Sequence, residues 1–195
     1  MSGLIILIII AAGIVLYVWS LYNQFLTIKT RIRASIQEIG NQLKRQADLI
    51  PNLVSSVKGY MKYEKAIFDE LTEARKAVMK VVETEDAQKL IDVGTRLQTA
   101  LAPIRAVFES TPQLQAAGPT AKLMDELRDT ADKVMYSRRT LIDLSADYNI
   151  KVVTFPSNLV ARLFGFKLEV GLKMPEGGEE LEVKEEETKT PKVEL

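Results

Sequence analysis

The chain has no histidine and no cysteine. Without imidazole, the commonest general base and the commonest zinc ligand are both missing. A dimetal carboxylate centre inside a helix bundle draws on Glu-x-x-His pairs, which this composition does not permit. A serine or threonine nucleophile needs a neighbouring base, and no isolated lysine stands ready to act as one. No glycine-rich phosphate loop is present. The 26 basic residues are balanced by 26 acidic ones, so no global positive field exists to hold nucleic acid. The pair Lys44-Arg45 is short, lacks interleaved aromatics and reads as solvated surface. With no thiol there are no disulfides, and the redox compartment is left open. Catalytic, cofactor-binding and metal-ligating residues are therefore expected to be absent, and the function is expected to be non-enzymatic.

What remains is apolar chemistry. Leu4 to Leu21 carries no charge, and as a helix it would cover roughly 27 Å, about the hydrocarbon thickness of a bilayer. Leu4, Ile8, Ile14 and Trp19 mark this anchor, and Tyr17, Trp19 and Tyr22 gather where an aromatic belt would sit. A cleaved signal peptide is the competing reading, but no basic residue precedes the run, and Ala11-Ala12-Gly13 is followed by more apolar sequence. A core helix apolar on every side is uncommon in a chain of this size. A retained single-pass helix is expected. Lys29, Arg31 and Arg33 on its C-terminal flank place the N-terminus outside and everything after Tyr22 in the cytoplasm, at the cell (inner) membrane.

The elements behind the anchor are helical. Ile28, Ile32, Ile36, Ile39, Leu43 and Ala47 recur in steps of three and four. At Pro51 two readings compete. Asp48 as an N-cap and the length of the combined helix favour a turn, whereas the stripe Leu43, Ala47, Ile50, Val54, Val57, Met61 stays in phase and favours a kinked continuation. The turn is the favoured reading. A second helix is expected from Asn52 to Glu83, a cap at Thr84-Glu85-Asp86, and a third helix from Asp86 to Ser110 with Pro103 inside it. Ser110 to Thr120 reads as a loop, and Thr120 as the N-cap of a fourth helix reaching Val153. The fold class is thus all-α: a transmembrane helix over residues 1–22, an up-and-down helical bundle over 23–166 and a tail over 167–195. In that tail Leu168, Val170, Leu172 and Met174 alternate as a strand would, and the Glu- and Lys-rich remainder has too little to bury and is expected to be disordered.

The segment FPSNLVARLFGF stands apart. Pro156 opens a short helix and Gly165 closes it, and Phe155, Leu159, Leu163, Phe164 and Phe166 load it with apolar surface. It either caps the bundle's own core, meets the membrane surface or contacts another subunit. In an up-and-down bundle it returns to the bilayer, whereas a helix continuous through Pro51 would leave three rods and put it far away.

Three stretches together resemble the LemA family: QLKRQADLIPNLVSSVKGYMKYE from Gln42, ELRDTADKVMYSRR from Glu126 and YNIKVVTFPSNLVARLFGF from Tyr148. The resemblance implies one N-terminal membrane helix followed by an antiparallel four-helix bundle. It implies no settled biochemical activity. LemA-like proteins are encoded beside HtpX-like membrane metalloproteases in many bacteria, which suggests a protease partner. Two functional readings follow. One is a membrane-anchored scaffold that self-associates as a homo-oligomer or organises a membrane partner. The other is a regulatory or adaptor subunit of such a protease.

Overall fold

The computed structural model describes residues 2–61 and 65–169, and every regular element among them is helical. Helix α1 spans Ser2–Val57, α2 Lys65–Val81, α3 Ala87–Ser110, α4 Pro112–Ala116, α5 Gly118–Val153 and α6 Ser157–Phe164, with a 3₁₀ turn at Val82–Thr84. The expectations of a strand continuing through Val170, Leu172 and Met174, and of a disordered tail, fall outside the described residues. Leu168 has no regular structure and is exposed.

Pro51 does not turn the chain. Helix α1 runs through it to Val57, and the separate helix expected from Asn52 is instead the end of α1, followed by α2 from Lys65. The unbroken phase of the stripe prevails: Ala47, Ile50, Leu53 and Val57 are all buried. Proline removes the N–H that would bond the carbonyl four residues back, that of Ala47. The guanidinium of Arg75, reaching over from α2, donates Nε to that carbonyl at 2.8 Å. The orphaned acceptor thus has a partner from another helix.

Two further boundaries differ from expectation. The Ser110–Thr120 connection is not all loop, because α4 forms inside it with Pro112 in its first turn and Leu114 buried. Thr120 is not a cap: α5 begins at Gly118, with Pro119 in its first turn, and Thr120 is buried inside the helix. The cap at Asp86 forms as expected, with its carboxylate accepting from the Lys89 N–H at 3.1 Å.

Long-range contacts fix how the helices lie. Along α1 and α5, Gln24 meets Lys151 and Arg45 meets Glu126, so the numbering falls on one helix as it rises on the other. Arg75 of α2 meets Ala47, and Glu85 just after the 3₁₀ turn meets Gln37 and Arg33. Between α1 and α3 the order is the same in both: Leu90 lies near Gly40, and Gln98 bonds Gln46. Leu43 packs so closely on Gly94 that a Cβ there would stand 3.0 Å from its Cδ2.

The helices are of unequal reach. The α2–α3 connection ends beside Arg33 and Gln37, whereas α1 and α5 continue together toward Gln24 and Lys151. The layer left open there is filled by α6 and by residues 166–169. This lower layer is the foot of the body. Below it, residues 2–17 of α1 are exposed on all sides.

Candidate functional site

The foot is where the apolar N-terminal segment joins the packed body. Leu21 and Phe25 of α1 are buried, and Val18 is partly so. Phe166 stacks on Phe25 with ring centroids 4.7 Å apart, and Tyr148 of α5 meets the same ring edge-on at 5.8 Å. Tyr22 packs against Phe164 at 4.8 Å and Phe166 at 5.7 Å. Aromatic pairs of this geometry add to burial by about 0.5–1.5 kcal/mol each.

Three devices hold α6 in place. Gly165 ends it in the left-handed region at φ 73°, where its N–H and that of Phe166 return to the last turn of the helix. Ser157 Oγ lies 2.7 Å from the Lys151 carbonyl and 3.0 Å from that of Thr154, satisfying the C-terminal end of α5. Asn149 clasps the backbone of Glu169 from both sides: its Nδ2 donates to the carbonyl at 3.0 Å, and its Oδ1 accepts the N–H at 2.9 Å. This clasp draws the chain after α6 back along α5 and directs Phe166 inward. Asn149 was missed by sequence reasoning because its partner lies 20 residues away and is a backbone group.

The expected apolar residues separate. Phe155, Leu159, Leu163 and Phe164 are 79, 56, 73 and 48 % exposed, while Phe166 is turned into the core. Leu4, Ile8, Ile14 and Trp19 are all exposed. Helix α6 is not remote from the anchor, as a helix continuous through Pro51 was expected to leave it. Its Phe164 touches Tyr22, directly after the uncharged run. The reason is that the turn lies beyond Val57 rather than at Pro51, and α5 still runs back along α1 from Arg45 to Gln24. Of the basic flank, Lys29 faces Glu169 at 3.9 Å, Arg33 pairs with Glu85 at 3.4 Å, and Arg31 is exposed. A groove of about 390 Å³ beside the foot is lined by Trp19, Ser20, Asn23, Gln24, Thr27 and Lys151.

Elsewhere the polar groups serve structure. Gln98 donates to buried Gln46 at 3.1 Å and accepts from Arg105 at 2.6 Å, a chain linking α1 to α3. Glu70 and Arg96 pair at 2.9 Å on the surface of α2 and α3. The hydrogen bond from Arg96 holds the Glu70 carboxyl below its ordinary range, and Glu70 raises Arg96 in return. Burial, with Glu169 adding a smaller part, pushes the Tyr148 phenol above its ordinary value. Among the described residues no three His, Cys, Asp or Glu side chains converge as a metal site would require.

Residues 35–194 match the model of the LemA family. Curated relatives include "Magnetosome protein MamQ" of Magnetospirillum gryphiswaldense and the two proteins titled "Magnetosome protein MamQ 1" and "MamQ 2" of Paramagnetospirillum magneticum. Each is 23 % identical over 169 aligned residues, covering 75 % of this chain and 62 % of the relative. The chain thus spans less than two thirds of the length of these relatives.

Proposed function

The chain belongs to the LemA family, and we propose that it is a membrane-anchored, non-enzymatic helical scaffold that self-associates or organises a membrane partner. One observation carries this reading: the uncharged run from Leu4 to Leu21 and the spine of the folded body are the same helix, α1. The apolar side chains from Leu4 to Tyr17 are exposed on every side, and a bilayer is the environment that removes such a surface from water. In this proposal α1, α2, α3 and α5 form an antiparallel up-and-down four-helix bundle, supported by the opposed numbering of the contacts of α1 with α5 and with α2, and by the short 3₁₀ turn that joins α2 to α3. The N-terminus is outside and the body in the cytoplasm, on the strength of the basic flank Lys29, Arg31 and Arg33. The absence of His and Cys from the whole sequence supports a structural rather than catalytic role.

Full-length protein extracted in mild detergent tests the proposal. Particles of uniform size containing several copies are expected by light scattering and electron microscopy. A single copy in stoichiometric complex with a membrane metalloprotease would replace the scaffold by the adaptor reading. Protease added to intact spheroplasts is expected to leave the body uncut, and digestion from outside would overturn the orientation.

A further inference from the structure

Helix α6 offers a face that none of the described residues covers. Leu159 and Leu163 stand one helical turn apart on α6 and Phe155 lies in the turn just before it; all three are more than half exposed, with Phe164 beside them. A short helix so loaded needs an apolar neighbour.

Its level along the molecule says which. Lys151 lies beside Gln24, and each further residue of α5 lies about 1.5 Å closer to the anchor. The connection through Thr154 and Phe155 is therefore at the height where the uncharged run ends. Phe164 packs on Tyr22, three residues after Trp19. Any bilayer that surrounds exposed Leu16, Tyr17 and Trp19 has its headgroup layer at α6. Charge points the same way. From Tyr148 to Leu168 the only charged residues are Lys151, Arg162 and Lys167, with no acid among them. Arg162 and Lys167 are exposed, and Lys151 lines the groove that also holds Trp19. The next residue, Glu169, is an acid but faces Lys29 at 3.9 Å, and an apolar face with Lys151, Arg162 and Lys167 about it suits an anionic lipid surface.

We propose that α6 and the turn before it insert Phe155, Leu159, Leu163 and Phe164 into the headgroup layer of an anionic bilayer beside the entry point of α1, with Lys151, Arg162 and Lys167 on the lipid phosphates. The body then rests on the membrane at two places. This rests on the anchor reading above and deepens it, by naming lipid as what covers α6.

The composition makes a test that separates the two. Trp19 is the sole tryptophan, and with no native cysteine a single thiol can be placed at will. Full-length Leu163→Cys, labelled with an environment-sensitive fluorophore, is reconstituted in phosphatidylcholine vesicles with and without phosphatidylglycerol. Brominated lipids are the quencher. Quenching of both Trp19 and the label at position 163 is expected, with the label quenched more in anionic vesicles. The same label at Met135→Cys, exposed on α5 well above the foot, is expected to stay unquenched. Arg162→Gln combined with Lys167→Gln is expected to abolish the gain given by anionic lipid. Quenched Trp19 with an unquenched label at 163 overturns the α6 proposal and leaves the anchor standing. Trp19 unquenched overturns the anchor reading itself. A label at 163 that is shielded from water in proportion to protein density, and not by lipid, identifies a second copy as the occupant. Equal quenching in neutral and anionic vesicles overturns the assignment of the three cations.

Discussion

At the scale of single residues, the most informative pair is Pro51 and Arg75. The carbonyl that proline leaves bare accepts from a guanidinium 28 residues away in sequence. Arg75→Ala should therefore cost about 1–3 kcal/mol, the usual penalty for a buried acceptor without a donor. In a Pro51→Ala background the restored N–H takes up that carbonyl, so the same change should cost markedly less. A double-mutant cycle by denaturant unfolding reads the difference, and equal costs in both backgrounds would disprove the link. Tyr148 behaves differently. Its hydroxyl is buried with no hydrogen-bond partner among the described residues. Tyr148→Phe should be neutral or stabilising by up to about 1 kcal/mol near neutral pH. The phenol ionises later in the folded than in the unfolded state, so its contribution is complete below the ordinary value of 10.0 and is lost as pH rises above it. The alkaline fall in stability should accordingly be shallower in Tyr148→Phe than in the parent. Asp86 acts on the opposite limb. The Lys89 N–H, and then its side chain, hold this carboxyl below 3.8. Its contribution is present above that value and fades as pH falls through the depressed one. Asp86→Asn should lower the melting temperature near neutral pH and converge with the parent in acid.

At the scale of elements, the lower layer depends on the clasp between Asn149 and Glu169. Asn149→Ala removes both hydrogen bonds and should cost about 1–3 kcal/mol. Hydrogen exchange should then quicken at Glu169 and Phe166 while α3 keeps its protection. Uniform quickening across the body would mean that the clasp is not local. The same layer shows where reading the sequence succeeds and where it stops. Gly165 and Asp86 were legible because their partners lie within one helical turn. The passage of α1 through Pro51 was not, because the group that makes it tolerable belongs to α2. Leu114 turns part of an apparent loop into α4 by finding the core, which no local signal announces. Phe166 looked equivalent to Phe155 and Leu163, and only the stacking on Phe25 tells them apart.

At the scale of the whole molecule, anchor and body share one helix yet few contacts. Residues 2–17 lie outside the core, so a chain lacking them should keep its unfolding free energy within about 0.5 kcal/mol, the range of surface changes far from packed features. The same chain should leave the membrane pellet on ultracentrifugation. Loss of cooperative unfolding would show that the segment belongs to the fold. The unbroken course of α1 also has a mechanical meaning. Some 35 residues of it stand beyond Tyr22, a rod of roughly 52 Å with no hinge at its base. Helices in bilayers lean by about 20°, by an amount that follows local thickness, so a lean of that size would swing the far tip sideways by roughly 18 Å. A thinner or thicker patch of lipid thus becomes, some 50 Å away, a change in where the tip points.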